Sequence, residues 1–97
     1  MSLSTVWHLY LLECVDGSLY TGITTDVVRR YEAHAKGKGA RYTRSHPPHR
    51  LLASVAIGSR SEALKAELDL KTRPKGEKLN AILSLIRDSC EQTGQRD

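Results

Sequence analysis

The sequence is poor in aromatic residues. Its 97 residues include no phenylalanine, one tryptophan and four tyrosines. A hydrophobic core must therefore be built mainly from Leu, Val, Ile and Ala, in a chain near the lower size limit for one independent domain. No apolar run reaches the roughly 18 residues of a membrane span, and the start MSLST lacks the regions of a signal peptide. We expect a soluble, cytoplasmic protein with no membrane partner.

Cysteine is scarce, with two residues, and net negative charge is lacking. Cys14 and Cys90 fit no metal-ligand spacing, so we expect free thiols rather than a bridge. Lys and Arg number 15 against 11 Asp and Glu, which leaves a net charge of +4 and a pI near 9.3. A small basic domain favours a polyanionic partner, nucleic acid first. The alternative is a basic surface that is merely solvated.

The chain is organised around the segment from His8 to His34. Residues 6–13 are rich in Trp, Tyr, Leu and Val, which is typical of a strand. A turn signal, Val-Asp-Gly, follows at 15–17, and residues 18–23 form the returning strand. This pattern predicts a β-hairpin that carries one tyrosine in each strand.

The type of turn decides whether the two tyrosines can share a site. A two-residue Asp-Gly loop would place Tyr10 and Tyr20 on opposite faces of the sheet. A three-residue loop, with Gly17 in the left-handed conformation, pairs Cys14 with Ser18 and places both tyrosines on one face. We expect the three-residue loop.

The remaining patterns predict an α+β domain with a small three-stranded antiparallel sheet flanked by three helices, in the order ββαβαα. The third strand is expected at 51–57, and the helices at 25–36, 60–72 and 75–89. Ser59-Arg-Ser-Glu62 forms a capping box for the second helix. The single domain is expected to span 6–90, between a disordered N-terminus at 1–5 and a polar tail at 91–97.

The first helix carries an apolar stripe, which consists of Val27, Val28, Tyr31 and Ala35. Arg30 and His34 form an i, i+4 pair on the flank of that stripe. We expect them to be neighbours that lie near the sheet without pointing into the core.

A basic segment follows the first helix. Residues 37–49 are rich in Gly and Pro and are expected to form a loop. From Lys36, the last residue of the predicted helix, onwards the chain carries five side chains suited to nucleic acid, which are Lys36, Lys38, Arg41, Tyr42 and Arg44. Cations interleaved with an aromatic ring suit a phosphate backbone and an unstacked base, although a solvated loop would have the same composition.

Glu67 does not fit the helix on which it lies. Helical periodicity places it in the middle of an apolar face, which consists of Ala63, Leu64, Ala66, Leu68 and Leu70. A buried carboxylate costs several kcal/mol unless it is satisfied. Glu67 could pair with a nearby Arg or Lys as a structural bridge, or bind a divalent cation together with water and substrate oxygens.

These residues together resemble the GIY-YIG nuclease superfamily, in particular its small stand-alone bacterial members. The first motif corresponds to His8-Leu9-Tyr10 and the second to Tyr20-Thr21-Gly22. Arg30, His34 and Glu67 then fall at the family's positions. The similarity extends over residues 6–87, nearly the whole chain.

Several positions depart from the family pattern. His8 replaces the first glycine and Thr21 replaces an isoleucine. Ile23 stands where some repair nucleases carry lysine, and Asn80 lies too late to match the family's asparagine. These departures bear on cleavage rate and substrate more than on the fold.

The resemblance implies a catalytic role for each site residue. Glu67 would hold Mg²⁺ or Mn²⁺, Tyr20 would accept a proton from the attacking water, and Arg30 would hold the phosphate in the transition state. Tyr10 would position water or phosphate. His34 would contact phosphate or relay a proton. The backbone at Gly22 would contact the nucleic acid.

The sequence leaves three functions open. The first is a metal-dependent endonuclease acting on structured or damaged DNA in repair or recombination, with a homodimer or a protein partner supplying specificity. The second is a non-catalytic nucleic-acid-binding module on the same fold. The third is a structural protein in which the tyrosines and Glu67 serve only the core.

Overall fold

A central strand is paired on both sides by antiparallel neighbours. The computed structural model describes residues 5–94, with side chains through residue 88. The elements in chain order are β1 (Trp7–Cys14), β2 (Leu19–Thr24), α1 (Val27–Ala35), α2 (Arg41–Ser45), β3 (Pro48–Gly58), α3 (Arg60–Lys71) and α4 (Lys75–Gly94). The sheet order is β2-β1-β3. The predicted α+β class with three antiparallel strands is confirmed.

The hairpin between β1 and β2 has the three-residue turn. Gly17 has a φ of +86°, a left-handed conformation that costs residues with a Cβ about 1–2 kcal/mol. The Cys14 amide donates to the Ser18 carbonyl at 2.8 Å, and Leu12 lies opposite Tyr20. The predicted register is therefore confirmed.

Alternation along β1 separates the core from the candidate site. Leu9 and Leu11 are fully buried and form the core with residues of β3, α3 and α4, which are Val55, Leu70 and Ile82. Tyr10 lies between these two leucines and therefore points to the other face of the sheet. Its hydroxyl contacts α1 there.

The segment at 37–49 is more regular than a loop. It contains the five-residue helix α2, and β3 begins at Pro48 rather than at residue 51. The Val15 amide donates to the Pro47 carbonyl at 2.8 Å, which extends the contact between β3 and the hairpin. The structure therefore has a fourth, short helix, and the element order is ββααβαα.

The predicted apolar stripe of α1 is wrong in part. Val28 is 69% exposed, and Ala35 is also exposed. The one fully buried side chain of α1 is His34, which was expected on the flank. The Asp26 side chain caps the helix by accepting from the Arg29 amide at 3.1 Å.

The later helices begin as predicted. Ser59 Oγ accepts from the Glu62 amide and Glu62 Oε1 accepts from the Ser59 amide, so the capping box is present. α4 continues to Gly94 and includes the first residues of the predicted polar tail. Residues 1–4 and 95–97 and the Cys90 side chain lie outside the described part, whereas Cys14 is a buried free thiol. No helix within residues 5–94 is long and apolar enough to cross a membrane.

The turn generates a test of stability. Gly17→Ala should lower the free energy of unfolding by about 1–2 kcal/mol, because alanine is strained at positive φ. Gly76→Ala is the matched control, since Gly76 lies in helix α4 and a Cβ there meets no atom within 4 Å. Urea denaturation of both variants measures the difference, and equal stabilities would contradict the left-handed turn.

Candidate active site

The two motif tyrosines lie together on one face of the sheet. Tyr10 pairs with Gly22 across the hairpin, two register positions from the pair formed by Leu12 and Tyr20. The Tyr10 and Tyr20 ring centroids are 6.3 Å apart. The arrangement that the three-residue turn was expected to produce is therefore present.

Gly22 makes room for the Tyr10 ring. A Cβ at Gly22 would clash with the hydroxyl and the ring carbons of Tyr10. Gly22 is itself buried. The second glycine of the motif thus has a packing reason in this chain, and its assignment to a nucleic-acid contact stays a prediction.

His34 lies inside the protein, against the expectation that it would stay out of the core. Its side chain is 1% exposed. Nε2 lies 2.8 Å from the Tyr10 hydroxyl and Nδ1 lies 2.6 Å from Thr43 Oγ1. Both ring nitrogens are therefore engaged by protein atoms, which favours a relay role over direct phosphate contact.

The ionisation of this pair is set chiefly by burial. Burial, with a smaller effect from the Arg30 charge, lowers the pKa of His34 to about 4. Burial also raises the pKa of Tyr10 to about 12. Tyr20 and Glu67 add to the rise of the Tyr10 pKa, and the hydrogen bond and charge of Arg30 oppose it. Tyr10 and His34 are consequently both neutral near pH 7.

Arg30 lies between the tyrosine cluster and an open cleft. It opposes the rise of the Tyr10 pKa and also lines a cleft of about 280 Å³. The cleft is formed by the start of α1 and the end of β2, with Thr24, Thr25, Asp26, Arg29 and Ala33 as the other lining residues. A guanidinium that lines an open cleft is able to form paired hydrogen bonds with a phosphate.

Glu67 lies on the buried side of α3, as the sequence predicted, but among different neighbours. Leu64 is 38% exposed and Leu68 is 66% exposed, so their expected places on the apolar face are wrong. The buried face is narrower and is formed by Ala63, Ala66, Glu67 and Leu70. Their spacing of i, i+3, i+4 and i+7 is that of a single helical stripe.

A salt bridge from its own helix satisfies part of the Glu67 carboxylate. Oε2 lies 3.2 Å from Lys71 Nζ, and the Glu67 side chain is 17% exposed. The structural bridge considered from the sequence is thus present. Lys71 is half exposed and bonds one oxygen, so the bridge leaves Glu67 able to take a second cation.

The residues suit a cation only if substrate and water supply most of its ligands. Within residues 5–88 no three His, Cys, Asp or Glu side chains converge to hold a metal ion. Glu67 is therefore a lone carboxylate. Mg²⁺ is commonly held by one or two carboxylates together with waters and phosphate oxygens, and this donor set fits that mode of binding.

The basic segment brings an aromatic stack to the site. Tyr42 of α2 stacks on Tyr20 with centroids 5.8 Å apart. His46 stacks on Tyr42 at 4.1 Å and 6°. The four cations of this segment, Lys36, Lys38, Arg41 and Arg44, are exposed. The structure thus places Tyr42 beside the predicted catalytic residues.

Three functional neighbours were not recognised from the sequence. Thr43 contacts His34, His46 extends the stack, and Gly39 lies so close that a Cβ would clash with the His34 ring. The Ala-Arg-Tyr-Thr-Arg pattern has no helical signature, so only recognition of α2 could have brought these residues to the site.

The fold and this tyrosine-centred cluster define a class of α+β domain, and comparison with known proteins identifies it. The family model described as the GIY-YIG catalytic domain matches residues 6–80. The chain belongs to the GIY-YIG family, a nuclease family whose members generally use divalent metal ions. The resemblance stated from the sequence is confirmed.

Named relatives support the assignment. The UPF0213 protein Reut_B5558 of Cupriavidus pinatubonensis is 58% identical over 79 residues, covering 81% of this chain and 88% of that protein. The solution NMR structure of the UPF0213 protein BH0048 from Bacillus halodurans is 48% identical, with a TM-score of 0.50, and covers 82% and 84% of the two chains. The solution NMR structure of the protein EF2693 from E. faecalis is 34% identical, with a TM-score of 0.58, and covers 88% and 91%.

The burial of His34 predicts a pH dependence of stability. Its pKa is about 4 in the folded chain, against an ordinary value of 6.5. As the pH falls from about 6.5 towards 4, the unfolded chain takes up a proton that the folded chain refuses. This residue should therefore lower the free energy of unfolding by up to about 1.4 kcal/mol per pH unit in that range.

Denaturation at pH 7, 6, 5 and 4 measures this dependence. His34→Gln should lose the contribution and show a shallower decline than wild type. His49→Gln is the matched control because His49 is exposed, and it should retain the wild-type slope. Identical slopes for wild type and His34→Gln would show that His34 titrates normally.

Proposed function

We propose that this protein is a metal-dependent endonuclease that hydrolyses phosphodiester bonds in DNA. The observation that carries the proposal is the clustering around Tyr10. Tyr20 and His34 lie beside its ring, and Arg30 and Glu67 both act on its hydroxyl electrostatically. A tyrosine pair, together with a guanidinium and a carboxylate whose charges act on it, supplies the kinds of group that phosphodiester hydrolysis requires.

The environments of the tyrosines support separate roles. Tyr10 holds its proton, because its pKa is raised to about 12, so it serves as a hydrogen-bonding group that positions water or phosphate. Tyr20 is only partly buried and is the better placed of the two to meet a water at the cluster surface. In its deprotonated form it would accept the proton of the attacking water.

Arg30 and Glu67 would manage the charge of the phosphate. The Arg30 guanidinium would donate to the non-bridging oxygens and stabilise the transition state. Glu67 would hold Mg²⁺ or Mn²⁺, and the cation would supply charge neutralisation at the phosphate when bound. Lys71, half exposed beside Glu67, would orient the carboxylate.

The surface around α2 supports DNA with an unpaired or distorted segment as substrate. The exposed cations from Lys36 to Arg44 suit the backbone of a strand, and the rings of Tyr42 and His46 are partly exposed. Aromatic faces beside a cationic surface bind unstacked bases with little dependence on sequence. We therefore propose structured or damaged DNA, in repair or recombination, as the substrate.

A non-catalytic nucleic-acid-binding module is the second candidate. The specific observation in its favour is the bridge between Glu67 and Lys71, which pairs one carboxylate oxygen without a metal. In that case the basic surface would bind nucleic acid while the tyrosine cluster served as a polar core.

Substitution of Glu67 distinguishes the two candidates. Glu67→Gln should slow Mg²⁺- or Mn²⁺-dependent nicking of a branched DNA by about 100-fold or more, while DNA binding persists. The loss of one electrostatic group that stabilises a transition state has a cost of this order. Asp69→Asn is the matched control, because Asp69 also makes an i, i+4 salt bridge on α3 but is 66% exposed. Absence of metal-dependent cleavage by clean wild type across DNA and RNA substrates would favour the binding module.

Salt dependence tests the DNA-binding surface. Arg44→Ala should weaken binding to a DNA hairpin with a single-stranded tail and lower the slope of log K against log salt by about 1, because one phosphate contact is lost. Arg87→Ala, which removes an exposed arginine of α4, should leave the slope unchanged. Fluorescence anisotropy between 50 and 200 mM salt, the range over which such contacts respond, measures both. Equal slopes for the two variants would show that Arg44 of α2 does not contact the DNA backbone.

A further inference from the structure

Thr43 occupies a position that the proposed reaction does not explain. It lies on α2 and is 1% exposed, although the remainder of this short helix is largely at the surface. Its Oγ1 lies 2.6 Å from His34 Nδ1 and donates to the Ala40 carbonyl at 3.0 Å. A buried hydroxyl with two short contacts must orient its single hydrogen.

The partners of Thr43 determine that orientation. The Ala40 carbonyl can only accept, so the 3.0 Å contact between it and Thr43 Oγ1 is a hydrogen bond that Thr43 donates. Thr43 Oγ1 is then left to accept from His34. A neutral imidazole carries one donor nitrogen and one acceptor nitrogen, and His34 is neutral near pH 7. Nδ1 is therefore the donor and Nε2 the acceptor.

We propose that Thr43 is a positioning residue that holds His34 in the tautomer protonated on Nδ1 and thereby directs the Tyr10 hydroxyl hydrogen towards Nε2. The hydrogen bonds then run in one direction, from Tyr10 to His34, from His34 to Thr43 and from Thr43 to Ala40. The lone pairs of the Tyr10 oxygen remain available for water or Arg30. This consequence for cleavage rests on the proposed function, whereas the tautomer does not.

A competing donor shows why the chain needs Thr43. The Ala40 amide donates to His34 Nδ1 at 3.4 Å, at the outer limit of a hydrogen bond, whereas Thr43 Oγ1 lies much closer to Nδ1, at 2.6 Å. Without the Thr43 hydroxyl, Nδ1 would accept from this amide and the proton would move to Nε2. Nε2 would then donate to the Tyr10 oxygen and occupy the lone pair that substrate water requires.

The packing of the segments around α2 restrains the position of Thr43 relative to His34. Gly39 approaches the His34 ring so closely that a Cβ would clash with it, so the loop before α2 cannot move inwards. The Val15 amide and the Pro47 carbonyl join the segment after α2 to the hairpin turn. The segments before and after α2 are thus both tied to the body of the domain.

Long-range ¹H–¹⁵N NMR of the imidazole rings at pH 7 tests the proposal directly. Wild type should show a protonated Nδ1 and an unprotonated Nε2 at His34. Thr43→Val keeps the shape of the side chain without the hydroxyl and should invert that assignment, whereas Thr43→Ser should restore it. A wild-type His34 protonated on Nε2, or a Thr43→Val spectrum with the wild-type tautomer, would overturn the proposal.

Cleavage kinetics test the consequence for Tyr10. Thr43→Val should lower kcat by roughly 10- to 100-fold, by analogy with the loss of a hydrogen-bond partner of a metal-ligating histidine, with little change in KM. Thr43→Ser should restore most of the rate, and Ser45→Ala, at an exposed position of the same helix, controls for local effects. Full activity in Thr43→Val would contradict the positioning role of Thr43 in cleavage. Lack of cleavage by wild type would defeat the proposed function, while the NMR assignment would still decide the tautomer.

Discussion

The hydrogen bond between the Tyr10 hydroxyl and His34 Nε2 connects the part of the candidate site on the sheet to the part on helix α1. It joins the central strand to the one fully buried side chain of α1. Both groups are desolvated, so each would carry an unsatisfied polar atom at a cost of about 1–3 kcal/mol if the other were absent. A Cβ at Gly22 would clash with the same Tyr10 hydroxyl, so β1, β2 and α1 meet at this contact.

The parts of the fold that sequence predicted well are those with strong local physical causes. Gly17 is needed at a positive φ, and the register of the whole hairpin follows from that single turn. The capping box at Ser59 and Glu62 defines the start of α3 through hydrogen bonds within four residues. Such features depend on short-range sterics and hydrogen bonding, which a single sequence contains, and the family resemblance follows from the spacing of the motif residues on these elements.

The parts that sequence could not predict depend on contacts between distant segments. Hydrophobic periodicity assigned Val28 and Leu68 to buried stripes, but a small sheet covers only a narrow face of each helix, and both residues lie at the surface. His34 is buried because Tyr10 and Thr43 satisfy its two nitrogens from other elements. No local pattern reports that pairing. The helix α2 likewise forms without a side-chain N-cap, so its signal in the sequence is weak.

Glu67 shows how a conflict with local pattern can indicate function more clearly than agreement with it. A carboxylate on the buried stripe of α3 is retained at a cost, since an apolar side chain there would extend the core at no desolvation penalty. Lys71 lowers that cost but lies half in solvent, where an i, i+4 pair contributes only a few tenths of a kcal/mol. The bridge alone therefore does not compensate for the burial. The Glu67 charge also contributes to the raised pKa of the buried Tyr10. If a cation and a phosphate bind beside these two residues, the carboxylate has a functional reason to lie on that face.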